Sequence, residues 1–375
     1  MGTGRRLGQS SLKRQRMERF LNVLERHQPI SRTELAALAG MSPASVTRLV
    51  HGLSALELIR EVSVMDSAGR GRRAINLHTY ADGAYALGFH IAPDGLRGCL
   101  LDFDHRVCAQ CEAPARPAVT TPGALAAAAG EMARRMLPAD TSRVRAAGIS
   151  VSGQIDMNTG RVTRSEAFDW SDVDLVGPFG EALGLPVWIE NDVKACLTWE
   201  CLRRGYLESR QDVAYLYIGR AGIGFANSTG GRLVRGAGNA AGEIENMPLA
   251  TDDRLSDHLL EDSLVARARR LSPEVNGFGD ILAARRMDIP WARLLMSDFT
   301  RHLDLLLRMV CALIDPHEVI LGGDIPDALR DWPELIGSGR CTFGENYEDA
   351  CAHGVAFIAM REAVLNLTDD LPDTV

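Results

Sequence analysis

The sequence predicts an α/β protein in which a small helical head precedes a larger body. The chain has 375 residues, of which 46% are apolar and 24% charged, a composition typical of globular proteins with two or three domains. The first 78 residues carry a net charge of +7 and the remainder −15. From Ala84 onward, strand-like and helical segments alternate. A basic head on an acidic body indicates that only the head contacts a polyanion.

Composition also excludes several classes of protein. The eight cysteines are scattered along a long chain, which is not the pattern of a disulfide framework. The Cys108-x-x-Cys111 pair lacks the second pair of a zinc site, so we expect ordinary thiols there. No run approaches the ~18 apolar residues of a membrane span, and the N-terminus has no apolar signal core. We therefore expect a cytoplasmic protein without a membrane partner.

The head begins with three short helices. In the first, apolar residues recur from Met17 to Leu24 at the spacing of one helical face, and Pro29 ends the run. Ser31 and Glu34 form a capping box, in which each side chain satisfies a backbone N–H near the other residue, and this second helix ends at Gly40.

The third helix begins at Ser42-Pro43, an N-cap followed by proline at the first helical position. Its buried face carries Val46, Leu49, Val50 and Leu53. The other face is small or polar with a cation one turn on, as a helix needs when it presents its first turn to a major groove. The predicted DNA-contacting residues of this segment are Ser42, Ala44, Ser45, Thr47, Arg48 and His51.

A β-hairpin follows, with strands at Leu58–Val64 and Arg73–Leu77. Its tip carries Arg70, Arg72 and Arg73 beside glycines, and flexible arginines there suit phosphates or a narrow minor groove. The head therefore reads as a DNA-binding winged helix-turn-helix. A three-helix protein-interaction module with a solvated charged hairpin is the alternative.

The body divides into two lobes, which gives predicted domains at 1–80, 81–192 and 193–375, the last with a C-terminal helix. Six short segments then occur in a fixed order. They are Ser31–Leu53 with the arginine wing, Gly148–Asp156, Leu185–Asp192, Tyr217–Gly224, Arg235–Glu243 and Val319–Asp324. In this order they resemble the ROK family of repressors and sugar kinases. The resemblance implies an actin/hexokinase-like fold for the two lobes.

The resemblance also implies a sugar site. In family kinases an Asn holds a sugar hydroxyl and the following Asp deprotonates the attacking hydroxyl, and these positions match Asn191 and Asp192. The residues expected at the sugar site are Ser152, Gly153, Gln154, Asn191, Asp192, Glu243, Asn246 and Glu261. Asn246 stands where the family has His, beside Glu245, which implies altered sugar specificity.

Other departures affect the ATP site and the zinc site. His90 replaces the Asp of the first phosphate motif, Pro93 removes a backbone donor from the same turn, and Arg220 enters the second phosphate loop. We expect no kinase chemistry, no catalytic residues and no cofactor. The interval where the family's zinc motif belongs contains no cysteine and only His258, so no structural metal is expected either.

The leading interpretation is a DNA-binding transcriptional regulator, a repressor of carbohydrate genes that responds to a sugar effector. It would act as a homodimer or higher oligomer on duplex DNA with an inverted-repeat operator. Two alternatives remain: a residual ATP-dependent sugar kinase, and a regulator controlled by a protein partner. For Asp192 a structural role, capping the helix that starts near Lys194, also stays open.

Overall fold

The computed structural model describes residues 3–64, 74–114, 121–220, 222–245, 247–250, 253–332 and 340–369. The chain forms two compact units, one of Met1–Glu190 with Ala352–Val375 and the other of Asn191–Cys351. The border between the units lies close to the predicted border between the lobes. The C-terminal helix, which the sequence analysis placed in the second lobe, belongs mostly to the first unit because its apolar side chains join that unit's core. A domain border at residue 80 stays a prediction.

The head contains helices α1 (Thr3–His27), α2 (Arg32–Ala39) and α3 (Pro43–Ala55), with strands β1 (Ile30–Ser31), β2 (Ile59–Val64) and β3 (Ala74–Thr79) in the order β1-β3-β2. Both predicted caps are present. Ser31 and Glu34 form the capping box, and Ser42 accepts a hydrogen bond from the Ser45 N–H. Gly40 ends α2 in the left-handed conformation, with φ of 63°. The predicted hairpin tip lies outside the described residues.

The first lobe has a five-stranded sheet of order β11-β7-β4-β5-β6. Its strands are β4 (Tyr85–Ala92), β5 (Gly95–Asp102), β6 (Val107–Pro114), β7 (Val144–Val151) and β11 (Val187–Asn191). Helices α4 (Pro122–Met136) and α5 (Val176–Leu183) contribute buried side chains to the same core. A small sheet of β8 (Gln154–Asp156), β9 (Arg161–Ser165) and β10 (Trp170–Asp174) lies between β7 and α5 in the chain.

The second unit has its own five-stranded sheet, of order β14-β13-β12-β17-β18. The strands are β12 (Val213–Ile218), β13 (Ile223–Thr229), β14 (Arg232–Leu233), β17 (Glu318–Gly322) and β18 (Cys341–Phe343), and β15 (Pro248–Ala250) pairs with β16 (Asp253–Arg254). The helices are α6 (Asp192–Arg203), α7 (Tyr206–Ser209), α8 (Leu255–Leu259), α9 (Glu261–Arg269), α10 (Phe278–Arg286), α11 (Pro290–Ile314) and α12 (Asp324–Ala328).

The two sheets repeat one pattern of strand pairing. In the first, β4 pairs antiparallel with β5, β5 pairs antiparallel with β6, and β4 pairs parallel with β7. In the second, β12 pairs antiparallel with β13, β13 pairs antiparallel with β14, and β12 pairs parallel with β17. This repetition confirms the prediction of two similar lobes.

The last helix, α13 (Tyr347–Asp369), packs tightly on the first sheet. Gly88 and Gly148 face each other across β4 and β7. A Cβ atom at Gly88 would lie 2.1 Å from the Ala352 carbonyl oxygen, and one at Gly148 would lie 2.3 Å from that of Val355. Among the described residues, α13 is the one helix long and apolar enough to cross a membrane, and 72% of its apolar window is buried, as in a core helix.

Candidate DNA interface and effector site

Helix α3 presents the predicted DNA-reading face to solvent. Ala44, Thr47, Arg48 and His51 are exposed and recur at the i, i+3, i+4, i+7 spacing of one face. Ser45 is half-buried, and its hydroxyl lies 2.9 Å from Ser42 Oγ within the helix cap. These four side chains are therefore accessible, whereas Ser45 takes part in the N-terminal cap of its own helix, and the DNA contacts of all of them stay a prediction.

The opposite face of α3 anchors it in the head. Val46, Val50 and Leu53 are fully buried, whereas Leu49 is only partly buried. Arg32 forms an ion pair with Glu61, which ties the start of α2 to β2. The exposed face of α3 thus rests on a packed core to which all three helices contribute. The wing residues Arg70, Arg72 and Arg73 lie outside the described residues, and their role stays a prediction.

The candidate effector site begins where β11 ends and α6 starts. Asn191 caps α6, because its Oδ1 accepts a hydrogen bond of 3.2 Å from the Lys194 N–H. The capping role considered for Asp192 therefore falls to Asn191. Asp192 occupies the first helical position, and its Oδ1 accepts a hydrogen bond of 2.9 Å from the Val193 N–H.

The environment of Asp192 disfavours its charge. Burial raises the pKa of this carboxyl to about 6, and the nearby Tyr347 side chain and the hydrogen bond from the Val193 N–H only partly oppose that rise. The nearby carboxylate of Glu243 raises the pKa further. Asp192 is 7% exposed. A buried carboxyl that titrates close to neutral pH is a common feature of functional sites.

The loop that brings Glu243 near Asp192 is held in place by α6. The buried Lys194 donates a hydrogen bond of 2.9 Å from Nζ to the Asn239 carbonyl. Gly242 has φ of 99°, and a Cβ there would lie 1.9 Å from the Phe225 carbonyl oxygen, so only glycine fits.

The remaining residues predicted for the sugar site divide into three groups. Asn246 lies outside the described residues. Glu261 opens α9, and its Oε1 accepts a hydrogen bond of 3.2 Å from the Phe278 N–H at the start of α10, which gives it a structural task. Ser152, Gly153 and Gln154 follow β7 in the first unit, where Gly153 has φ of 134°. The second unit thus brings together Asn191, Asp192 and Glu243, and the roles of the others stay predictions.

The segment that the sequence analysis aligned with the first phosphate motif forms a tight hairpin between β4 and β5. His90 lies within β4, is 3% exposed, and has Nδ1 3.1 Å from Ser150 Oγ. Burial lowers the pKa of His90 to about 4, so the imidazole is neutral at physiological pH. Pro93 and Asp94 form the turn between β4 and β5. A neutral imidazole and a proline supply neither the metal-binding carboxylate nor the backbone donor of a phosphate turn.

The second glycine-rich loop uses backbone donors within the protein. The Gly219 N–H donates to the Gly222 carbonyl at 2.9 Å, and the Arg220 N–H donates to Asp324 Oδ2 at 3.2 Å. The Arg220 N–H is therefore engaged with a carboxylate of the protein. The side chain of Arg220 points to Asp262, with 3.3 Å between Nε and Oδ1.

One group among the described residues has the composition of a metal site. His258, Asp298 and His302 offer ligand atoms within 4.8 Å of one another. Asp298, however, forms ion pairs with Arg267 at 2.6 Å and with Arg301 at 2.8 Å. Two guanidinium groups on one carboxylate disfavour a cation there. Burial raises the pKa of Asp298, but His258 and Arg267 outweigh burial and hold that pKa well below its usual value. Sequence reasoning noted only His258, although Asp298 and His302 stand at the i, i+4 spacing of one helical face.

Comparison with known proteins adds a family to this geometry. The sequence profile of the ROK family matches residues 87–334, about two thirds of the chain. The chain belongs to the ROK family. Residues 16–63 match the IclR helix-turn-helix domain, a range that covers α2, α3 and about half of α1. A DNA-binding type of head is therefore joined to a ROK body in one chain.

Similar proteins include other regulators. A transcriptional regulator of Mycobacterium tuberculosis is 24% identical over 84% of this chain and 75% of its own length. The xylose repressor of Bacillus subtilis is 23% identical over 88% of this chain and 87% of its own length. A crystal structure of a ROK family transcriptional regulator, a homologue of the Escherichia coli Mlc protein, superposes with a TM-score of 0.78 at 20% identity and covers 96% of this chain and 99% of its own. That match supports the fold.

Proposed function

We propose that the chain is a cytoplasmic transcriptional repressor of carbohydrate genes whose DNA affinity is set by a sugar bound at Asn191, Asp192 and Glu243. The observation that carries the proposal is the exposed, correctly capped face of α3 in the same chain as a ROK body. The α3 face offers small side chains at its first turn and a cation one turn later, as direct readout of a major groove requires. The similarity to named repressors supports the same assignment.

Substitution of Arg48 tests the DNA interface. We expect Arg48→Ala to weaken binding to a duplex from the region upstream of the chain's own gene by about tenfold to a hundredfold, because one groove contact is worth ~1–3 kcal/mol. Fluorescence anisotropy at several salt concentrations measures this loss. Arg308→Ala removes another exposed arginine, on α11, and is the control that should leave affinity unchanged. Equal effects of the two substitutions would contradict the assignment of α3.

The effector proposal rests on hydrogen-bonding chemistry. Carboxylate and amide oxygens accept hydrogen bonds from a ring of hydroxyls, and buried acceptors discriminate against ligands that lack the hydroxyl. Xylose and glucose are the first probes, as a pentose and a hexose. We expect at least one of them to raise the melting temperature and to change the operator affinity in the same concentration range. No effect of any sugar in a wider panel would favour control by a protein partner instead.

The arrangement on DNA is part of the proposal. Two heads of a homodimer would meet two half-sites at a fixed helical spacing, so the operator is expected to be an inverted repeat. DNase footprinting should show two protected half-sites separated by about one helical turn. Protection of one isolated half-site would contradict a dimer on DNA.

A residual sugar kinase is the second candidate, and the retained carboxyl of Asp192 is the observation that favours it. Pro93 has no backbone N–H, and the N–H groups of Gly219 and Arg220 donate to acceptors within the protein. Because positioning of phosphates and metal supplies most of the catalysis in phosphoryl transfer, we expect no turnover. A coupled ADP-release assay with ATP, Mg²⁺ and xylose or glucose should stay at background. Turnover above it would establish the kinase.

A further inference from the structure

The head and the first lobe share one hydrophobic core. Phe20 and Leu24 of α1 belong to the same buried cluster as Phe103, which follows β5, and Met360 and Val364 of α13. All five are at most 2% exposed. An independently moving head would present these side chains to water, so continuity of the core opposes free rotation of the head.

A charged cluster is embedded in that shared core. Arg361 of α13 places Nη2 2.6 Å from Glu25 Oε2, and His105 Nε2 lies 3.2 Å from Glu25 Oε1. The three side chains are 9 to 11% exposed. We call Glu25, His105 and Arg361 the head joint. It connects a residue of the head to one after β5 and to one of α13.

The joint is fixed from several sides. The ring of Phe357 contacts the imidazole of His105 edge-on, with 4.9 Å between centroids, and lies 5.0 Å from the Arg361 guanidinium. Burial raises the pKa of Glu25, whereas the charges of Arg361 and His105 lower it, and the net effect lies below the usual value. Glu25 is therefore an anion that depends on these neighbours. A hydrogen-bonded ion pair requires a particular mutual orientation of its two side chains, whereas an apolar contact does not. The pair therefore selects one orientation of the head.

Helix α13 carries one residue of this joint, Arg361, in its C-terminal half, and its first turn lies near Asp192 of the candidate effector site. Its first residue, Tyr347, lies close enough to Asp192 to influence the pKa of that carboxyl, and Cys351 Sγ lies 3.6 Å from the Asp192 carbonyl oxygen. Arg361 follows about four turns after Tyr347. The helix is uninterrupted between them.

We propose that Glu25, His105 and Arg361 are positioning residues that fix the DNA-reading head on the first lobe, so that the head moves together with α13. The link from this joint to a sugar response rests on the function proposed above. In this arrangement the head does not swing on a flexible linker. Operator affinity then depends on the geometry that the joint maintains.

The experiment replaces the ion pair by apolar side chains in the full-length protein. Glu25→Met with Arg361→Met removes both charges without leaving a buried anion behind, so the fold is expected to persist. The control is Arg14→Gln with Glu362→Gln, which removes an ion pair between the same two helices that is about 30% exposed. Circular dichroism and thermal melting establish that both variants are folded.

The first readout does not involve DNA. Genetically encoded nitroxide amino acids at Leu38 in α2 and Glu131 in α4, both exposed, report the distance between head and lobe by double electron–electron resonance. The parent and the control should give one narrow distribution, and the Glu25→Met/Arg361→Met variant a broad one. An unchanged narrow distribution would overturn the proposal. If the double variant fails to fold, Arg361→Lys is the substitute, since it keeps the charge but loses the planar guanidinium. It should broaden the distance distribution partly, and an unchanged distribution would overturn the proposal.

The second readout is operator binding with and without the sugar that acts on the parent protein. We expect the Glu25→Met/Arg361→Met variant to bind its operator roughly tenfold more weakly or worse, because the head must be ordered at each binding event. The ratio of affinities with and without sugar should fall toward one. Parent-like affinity and response would overturn the proposal. A parent protein that binds no duplex would contradict the proposed function. The distance distributions would still show whether Glu25, His105 and Arg361 fix the head on the first lobe.

Discussion

Gly148→Ala should destabilise the first unit by about 3 kcal/mol, because a methyl group at this position meets backbone atoms that have nowhere to move. The nearest atom would be the Val355 carbonyl oxygen at 2.3 Å, and the Val355 carbonyl carbon follows at 2.7 Å. Differential scanning calorimetry and urea unfolding measure the loss. Gly88→Ala, directly opposite on β4, should have a similar effect, since its Cβ would meet the Ala352 carbonyl oxygen.

Gly123→Ala is the matched control for these substitutions. Gly123 lies in the first turn of α4, where an added Cβ meets nothing within 4 Å. Alanine is the better helix former, so this variant should be as stable as the parent or up to ~1 kcal/mol more stable. If the Gly148→Ala variant has the same melting temperature as the parent, α13 does not lie against the sheet as described. Because α13 also carries Arg361, we expect Gly148→Ala to weaken operator binding as well.

Features set by local chemistry were predictable from the sequence. The capping box of Ser31 and Glu34, the N-cap at Ser42 and the left-handed Gly40 each depend on residues within four positions of one another. The repeated hydrophobic pattern likewise predicted two similar lobes. These signals need no knowledge of the tertiary structure.

Features that depend on distant partners were not predictable in the same way. Glu25 pairs with Arg361, which is 336 residues away in the chain. An isolated glutamate on a helix is usually solvated, so no local pattern indicated its burial. Gly88 and Gly148 are ordinary strand glycines in sequence, and only the approach of α13 explains them.

At the candidate effector site, the structure distinguishes two helix-capping roles that the sequence left open. Asn191 and Asp192 are both good N-cap residues, so the sequence allowed either to cap α6. The structure assigns the cap to Asn191, and the carboxyl of Asp192 is consequently the buried group that responds to pH. Glu261 also has a contact that the sequence did not indicate, because its Oε1 accepts a hydrogen bond from the Phe278 N–H, and its predicted sugar contact stays a prediction.

Asp192→Asn should make the protein more stable and insensitive to sugar. The pKa of Asp192 is raised from 3.8 to about 6, so the folded state favours the protonated carboxyl. The stability that this preference contributes is present below pH 3.8 and is lost as the pH rises through 6. At pH 7.5 the parent therefore carries a buried charge that costs up to about 3 kcal/mol. Asparagine resembles the protonated form and removes that cost.

Thermal unfolding across pH provides the test of stability. At pH 7.5 the Asp192→Asn variant should melt above the parent, and the difference should vanish near pH 4, where the parent carboxyl is protonated too. Glu208→Gln replaces another carboxylate of the second unit, one that is not fully buried, and should show no such trend. A variant less stable than the parent at pH 7.5 would show that the charge of Asp192 is compensated within the fold.

Sugar affinity should follow the opposite pH dependence. A carboxylate accepts a strong hydrogen bond from a sugar hydroxyl, whereas a protonated carboxyl is a weaker acceptor. In the parent, sugar affinity should therefore fall as the pH drops through about 6, the pKa of Asp192. Asp192→Asn should bind sugar weakly at every pH, and its operator affinity should not change when sugar is added. Stability and effector response are thus expected to change in opposite directions on substitution of one side chain, as happens where a buried charge is retained for function.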